Sequence, residues 1–222
     1  MAQIILGVTG SVASLRTPVL YSGLRALGHQ VRVVATEPSL HFFDPRELAK
    51  DPFDPLGGPV FRDLDEWGED RWRRDDPVLH VEFRRWADLL VIAPLDANTL
   101  AKLALGFADN FLTCLFRAWD FGRPVVLAPA MNTLMWDSPV TRRHLAQLLD
   151  DRGDGHQGDV WKLDQAEAVF ARHAPGLVLV PPQAKRLACG DVGQGAMADV
   201  EAILAAAGRA LDDATARTPR PS

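Results

Sequence analysis

QIILGVTGSVASLRTPVLYSGLRALGHQVRVVA, residues 3–35, changes its periodicity twice, and those changes decide the fold. Gln3–Val8 is a short apolar run ending in Thr9-Gly10-Ser11. From Val12 to Leu27 apolar residues recur at helical spacing, and Gly28 stands where a helix would stop. Gln30–Ala35 is again a strand-length apolar run. Strand, turn, helix and strand joined by short connections make a βαβ unit with parallel strands.

The alternation continues downstream. Leu89–Ala93 (LLVIA) and Pro124–Ala128 (PVVLA) read as strands covered on both faces, and Leu177–Val180 (LVLV) as a further strand. Helical spacing covers Ala97–Leu105, Asn110–Trp119, Pro139–Leu149, Asp164–His173 and Ala198–Leu211. Residues 44–78 break the pattern, being rich in proline and acids. Regular structure resumes at His80-Val81-Glu82-Phe83. A short helix is expected from Asp63 to Arg71, packing Trp67 and Trp72 onto the body or a neighbouring subunit. The fold class expected is α/β: an open doubly wound parallel sheet, a flavodoxin/Rossmann-like three-layer sandwich, with ligands at the carboxyl ends of the strands. One domain, residues 1–213, and a flexible tail, 214–222, account for the length of 222 residues.

Composition removes several function classes. A net charge of −5 gives no concentrated basic surface, so no nucleic acid partner is expected. Arg71–Arg74 (RWRR) lies among Asp70, Asp75 and Asp76 and reads as a solvated mixed-charge segment. The opening MAQIILGVTGS has neither a basic n-region nor a long apolar run, and no segment approaches the ~20 apolar residues of a membrane span. A cytoplasmic protein with no membrane partner is expected. Asp154, His156 and Asp159 in DDRGDGHQGD read as a solvated loop, and no metal is expected. Two cysteines make no disulfide framework. Cys114, in NFLTCLFRAW, is expected in the core, whereas Cys189, in the glycine-rich RLACGDVGQGAM (186–197), is expected to be a free thiol.

Four strand-end loops carry unusual residues. GVTGSV (7–12) opens a helix, where free backbone N–H groups and the Ser11 hydroxyl suit a phosphate, though it fits neither GxxxxGK[ST] nor GxGxxG. Thr36–Ser39 (TEPS) adds two hydroxyls, which either hold a polar ligand or cap a plain turn. Asp96, Asn98 and Thr99 in APLDANTLAK form an amide and hydroxyl cluster, and APAMNTLMW (128–136) sets Asn132 on the next loop. Polar loops on adjacent strands imply one shared pocket.

Taken in this order, GVTGSVAS, TEPSLHFFD, DPVLHVEFRRWADLLVIAPLDANTLAKLA, ADNFLTCLFRAWD, PAMNTLMW and KRLACGDVGQGAMA resemble the flavin-containing cysteine decarboxylase family, in its stand-alone form from the coenzyme A pathway. The resemblance covers nearly the whole chain. It implies an FMN cofactor, a homotrimer with FMN near the subunit interface, and the small-molecule substrate 4′-phosphopantothenoylcysteine. The implied reaction is oxidation of the cysteinyl end to a thioaldehyde, loss of CO₂, and re-reduction of the enethiol.

Residue by residue, the resemblance gives Gly10, Ser11 and Val12 the phosphate, assisted by Thr36 and Ser39. Asp96, Ala97, Asn98 and Thr99 take the ribityl chain and ring, with Ala130 nearby. Asp96 stands where many members carry Ser and still accepts hydrogen bonds from FMN hydroxyls. His80 matches the active-site histidine, as base or partner of the substrate carboxylate. Asn132 matches the residue that holds that carboxylate. Arg186, Ala188 and Met197 belong to a glycine-hinged flap over the substrate, and Cys189 is the proton donor of the reductive half. Two other readings are a flavin-binding subunit that inhibits a phosphatase and a flavin prenyltransferase. The joint presence of His80, Asn132 and Cys189 and the short non-acidic tail TARTPRPS count against the first. PAMNTLMW and the cysteine loop count against the second.

Overall fold

A computed structural model describes residues 1–48, 59–68, 71–152, 161–186 and 192–217. Among these, six parallel strands form one sheet: β1 (Gln3–Val8), β2 (Gln30–Ala35), β3 (Val60–Phe61), β4 (Leu89–Leu95), β5 (Val125–Pro129) and β6 (Leu177–Leu179). Their spatial order is β3-β2-β1-β4-β5-β6. Ile4 pairs with Val31 on one side and Leu89 on the other, which makes β1 central. An antiparallel pair, β7 (Gln183–Arg186) and β8 (Val192–Ala196), stands apart from this sheet.

Helices cover both faces. Ile5, Leu90, Ile92 and Leu127 point to one side, against α3 (Leu79–Trp86), α4 (Ala97–Leu105), α5 (Phe111–Arg117), α7 (Pro139–Arg152) and α8 (Ala166–His173). Ile4, Leu6, Leu89 and Val91 point to the other, against α1 (Thr17–Ala26) and α9 (Val200–Arg217). Alternation at period two sends consecutive β4 residues into two different cores, so every residue from Leu89 to Leu95 is buried. Each fully buried Leu, Ile or Phe contributes about 2 kcal/mol. The expected three-layer sandwich is what the chain forms. The short α2 (Asp63–Trp67) and α6 (Thr133–Trp136) lie in connections, and no described helix is long and apolar enough to cross a membrane.

Several boundaries differ from expectation. The single helix read over Val12–Leu27 is a 3-10 turn, Val12–Arg16, followed by α1. Pro18 explains the break: it has no N–H to return to Ser14, whose carbonyl instead accepts from Thr17 N–H. The regular structure expected to resume at His80 is α3, and His80 sits in its first turn. The excursion over 44–78 adds β3, which extends the sheet edge through Val33–Val60 and Val34–Phe61 and stacks Phe61 edge-on against Phe83, 4.7 Å between centroids. α2 stops at Trp67, and Trp67 and Trp72 are half exposed, each only partly covered within this chain. Helix α9 continues to Arg217, where Thr215 Oγ1 donates to the Leu211 carbonyl at 2.9 Å. The expected tail therefore loses residues 214–217 to a helix rich in alanine.

The order β3-β2-β1-β4-β5-β6 reverses direction between β1 and β4. Connections leave the two strands on opposite sides there, so their carboxyl-end loops diverge and leave a cleft.

Candidate cofactor and substrate site

A cavity of about 690 Å³ opens at this point, lined by loops following β1, β4 and β5 and by the chain following β8. That volume suits a cofactor or drug-sized ligand. Of the residues singled out from sequence, Gly10, Ser11, Val12, Asp96, Ala97, Asn98, Ala130, Asn132 and Met197 line it together.

The first loop is held by a side chain that the sequence reading passed over. Thr9 is fully buried; its Oγ1 donates to the Pro94 carbonyl at 2.9 Å and accepts from Asp96 N–H at 2.7 Å. Its own carbonyl accepts from Ser14 Oγ–H at 2.8 Å. One hydroxyl thus ties the loop after β1 to the loop after β4, and leaving either partner bare in the interior would cost about 1–3 kcal/mol. Its only signal in the sequence was its place directly after an apolar run.

Asp96 is the N-cap of α4, with Oδ1 accepting from Thr99 N–H at 2.6 Å. Ser and Asp are both good caps, which accounts physically for their exchange at this position. The other oxygen, Oδ2, faces Gly10. A Cβ on Gly10 would stand 3.2 Å from Oδ2 and 2.7 Å from Pro38 Cβ, so the approach between these loops requires a glycine.

Thr36, Ser39 and Thr99 are not among the lining residues. Thr36 Oγ1 donates to the Val8 carbonyl at 3.3 Å and Ser39 Oγ to the Thr36 carbonyl at 2.6 Å, both buried. Their hydroxyls shape the TEPS turn that presents Pro38 to Gly10 and do not face the cavity.

Asn132 is the N-cap of α6; its Oδ1 accepts from Leu134 N–H at 2.9 Å. The β7–β8 hairpin docks on this loop, with Met131 N–H donating to the Gly195 carbonyl at 3.0 Å. A Cβ on Gly193 would fall 2.6 Å from Thr133 Cγ2, and one on Gly195, at φ +153, would collide with the Met131 carbonyl. These two glycines are contact points of the docked hairpin. Lys185 reaches back from β7 to Asp199 at 2.7 Å. Arg186 belongs to β7, while Ala188 and Cys189 lie outside the described residues, as do Asp154, His156 and Asp159.

His80 does not line the cavity of its own chain. It pairs with Glu66, Nδ1 to Oε1 2.6 Å. Cys114 is only half-buried, which corrects the expected core position; its Sγ–H donates to the Ala108 carbonyl at 3.4 Å. Burial pushes the thiol up, reinforced by the nearby carboxylates of Glu66, Asp109 and Asp63.

The residues fit an FMN-sized group. The backbone N–H groups of Gly10 and Val12 have no partner among the described residues, and they precede a helical segment whose positive end favours an anion. Arg16, also missed from sequence, lines the cavity as a cation close by. Asp96 and Asn98 offer polar atoms for hydroxyls, and Ala130, Met131 and Met197 offer an apolar wall.

Residues 1–211 match the flavoprotein family. The chain belongs to the flavoprotein family. A phosphopantothenoylcysteine decarboxylase from Mus musculus is 44% identical over 205 residues, 91% of this flavoprotein and 84% of that relative. One from Arabidopsis thaliana is 44% identical over 202 residues, 90% and 81% of the two chains. Among solved structures, a Cys-to-Ser mutant of PPC decarboxylase complexed with pantothenoylaminoethenethiol is 42% identical, with a TM-score of 0.73 and coverage of 92% and 94%. The FMN binding protein AtHal3 is 43% identical, with a TM-score of 0.69 and coverage of 92% and 93%.

Proposed function

We propose that this flavoprotein is an FMN-dependent decarboxylase that converts 4′-phosphopantothenoylcysteine to 4′-phosphopantetheine, acting as a cytoplasmic homotrimer. The observation that carries the reading is the convergence of Gly10–Val12, Asp96–Asn98, Ala130, Asn132 and Met197 on one cavity. The identity to phosphopantothenoylcysteine decarboxylases over most of the chain supports the substrate.

Gly10 and Val12 N–H groups and Arg16 would hold the FMN phosphate, and Asp96 and Asn98 the ribityl hydroxyls. Bound there, FMN supplies the two-electron oxidation and the later re-reduction that let CO₂ leave without net redox change. Asn132, fixed at the cavity wall by the Leu134 N–H that its Oδ1 accepts, binds the substrate carboxylate. An uncharged donor orients the acid without the tight ground-state ion pair that would oppose CO₂ loss. Met197 closes the apolar side of the cavity next to the docked hairpin. Cys189 then gives its proton to the product carbon.

The trimer supplies what one chain lacks. Val12, Leu15, Val19 and Met135 are exposed apolar side chains around the cavity, and a rim of this kind suits burial against another subunit. Such a contact would bring His80 of the partner subunit to the substrate.

Purified FMN-loaded protein is expected to release CO₂ and 4′-phosphopantetheine from 4′-phosphopantothenoylcysteine; no turnover by the loaded protein would sink the reading. A shared site makes a further demand. His80→Gln and Asn132→Ala, each slowed to a small but measurable residual rate alone, should regain activity when the two chains are co-assembled, and mixed oligomers that stay at the residual rate would place each site within one chain.

A further inference from the structure

Glu66 lies on α2, and its side chain is 4% exposed, against 25% for that of His80. Its two oxygens serve one residue. Oε2 accepts the backbone N–H of His80 at 2.9 Å, and Oε1 lies 2.6 Å from Nδ1 of the same side chain. The His80 N–H belongs to the first turn of α3, where amides have no intrahelical partner, and Val78 at the N-cap makes no side-chain bond. A single carboxylate, fourteen residues upstream, thus caps the helix and grips a ring in its first turn.

The protonation of the ring follows from chemistry. A carboxylate only accepts, so the proton sits on Nδ1. Nε2 makes no hydrogen bond among the described residues. The other charged groups nearby are already engaged: Asp63 Oδ1 accepts from Phe111 N–H at 2.8 Å, and Asp109 pairs with Lys102 at 2.7 Å. The Cys114 thiol, on α5, is held protonated by burial and by these carboxylates.

We infer that Glu66 is a positioning residue for His80, holding the imidazole in its Nδ1–H form and presenting Nε2 as the accepting nitrogen toward the substrate. The inference rests on the decarboxylase reading, in which His80 meets substrate. Because Oε2 is fixed by the backbone N–H that it caps, Oε1 is held in place for Nδ1, and turning the ring away would forfeit that bond.

The test uses full-length, FMN-loaded protein labelled with ¹⁵N-histidine, the His80 signals being assigned by their loss in His80→Gln. Two-bond ¹H–¹⁵N spectra of neutral imidazole are expected to show a protonated Nδ1 and a bare Nε2 in the wild type. Glu66→Gln should move the proton toward Nε2, because an amide oriented to accept the backbone N–H turns its own N–H₂ to Nδ1. Turnover should fall roughly 10²–10⁴-fold with KM within about threefold, the range that a positioned acid–base group contributes and that a wrong tautomer forfeits. In the His80→Gln background, Glu66→Gln should cost nothing further. A wild-type ring proton on Nε2 overturns the inference, as does an equal cost of Glu66→Gln in both backgrounds. If Glu66→Gln does not fold, the wild-type spectrum alone decides. An intact Nδ1–H signal in a wild type without turnover overturns the decarboxylase reading and leaves the Glu66–His80 geometry supported.

Discussion

Cys189→Ser is expected to release CO₂ once per site and then stop, with the enethiol, two hydrogens lighter than product, accumulating in the mass spectrum. A thiol is suited to the last proton transfer because the unperturbed cysteine pKa of ~8.5 makes such a group a much stronger acid than a hydroxyl while still holding its proton near neutrality. A serine hydroxyl is a far weaker acid. Removing a positioned general acid costs typically ~10²–10⁴-fold, so product formation should fall about 10³-fold. Product at the wild-type rate would remove Cys189 from the mechanism, and absence of any CO₂ would move it to an earlier step.

Gly195→Ala should have the largest effect on stability. At φ +153 an L-residue pays about 1–3 kcal/mol in backbone strain alone. The new methyl would also collide with the Met131 carbonyl, a backbone atom that no side-chain rotation can move aside. Together these amount to about 3 kcal/mol, and in a chain of this size the melting temperature should drop roughly 5–10 °C. The Met131–Gly195 hydrogen bond would go with it, loosening the loop that bears Asn132. Calorimetry and the FMN content of the purified variant provide the check. An unchanged melting temperature with full FMN content would mean that the hairpin is not held through Gly195.

The fold was legible where periodicity is strong. QVRVVA became β2 with the expected ends, and Ala97–Leu105 became α4 with the expected ends, because apolar spacing and a capping Asp or Gly agree there. Val60–Phe61 was not legible: two residues in a proline-rich stretch carry no period, and pairing to β2 alone makes them a strand. The β7–β8 hairpin was hidden in the same way, its strands being polar or glycine-rich and fixed by contact with Met131 and Thr133.

Of the site, the loop residues were readable because strand ends in an α/β sheet converge by topology. Where the expectation and the structure differ, hydrogen-bond partners decide. Thr36 and Ser39 carry the hydroxyls that a ligand would want, yet nearby backbone carbonyls claim them first. Thr9 looked like part of a turn, and its bond to Pro94 spans 85 positions. The Glu66–His80 contact joins a helix too short to show amphipathic spacing to a residue fourteen positions on, across the proline-rich stretch that carries no period.

The reversal of strand order between β1 and β4 has a consequence for descent. The hollow there follows from how the chain is wound and owes nothing to the side chains that line it. A lineage can therefore replace almost every lining residue and still inherit a place to bind, provided that Thr9 or an equivalent keeps the two loops tied. Under that condition new chemistry can arise by exchanging loops over an unchanged opening, and ancestry and activity can part company within one fold.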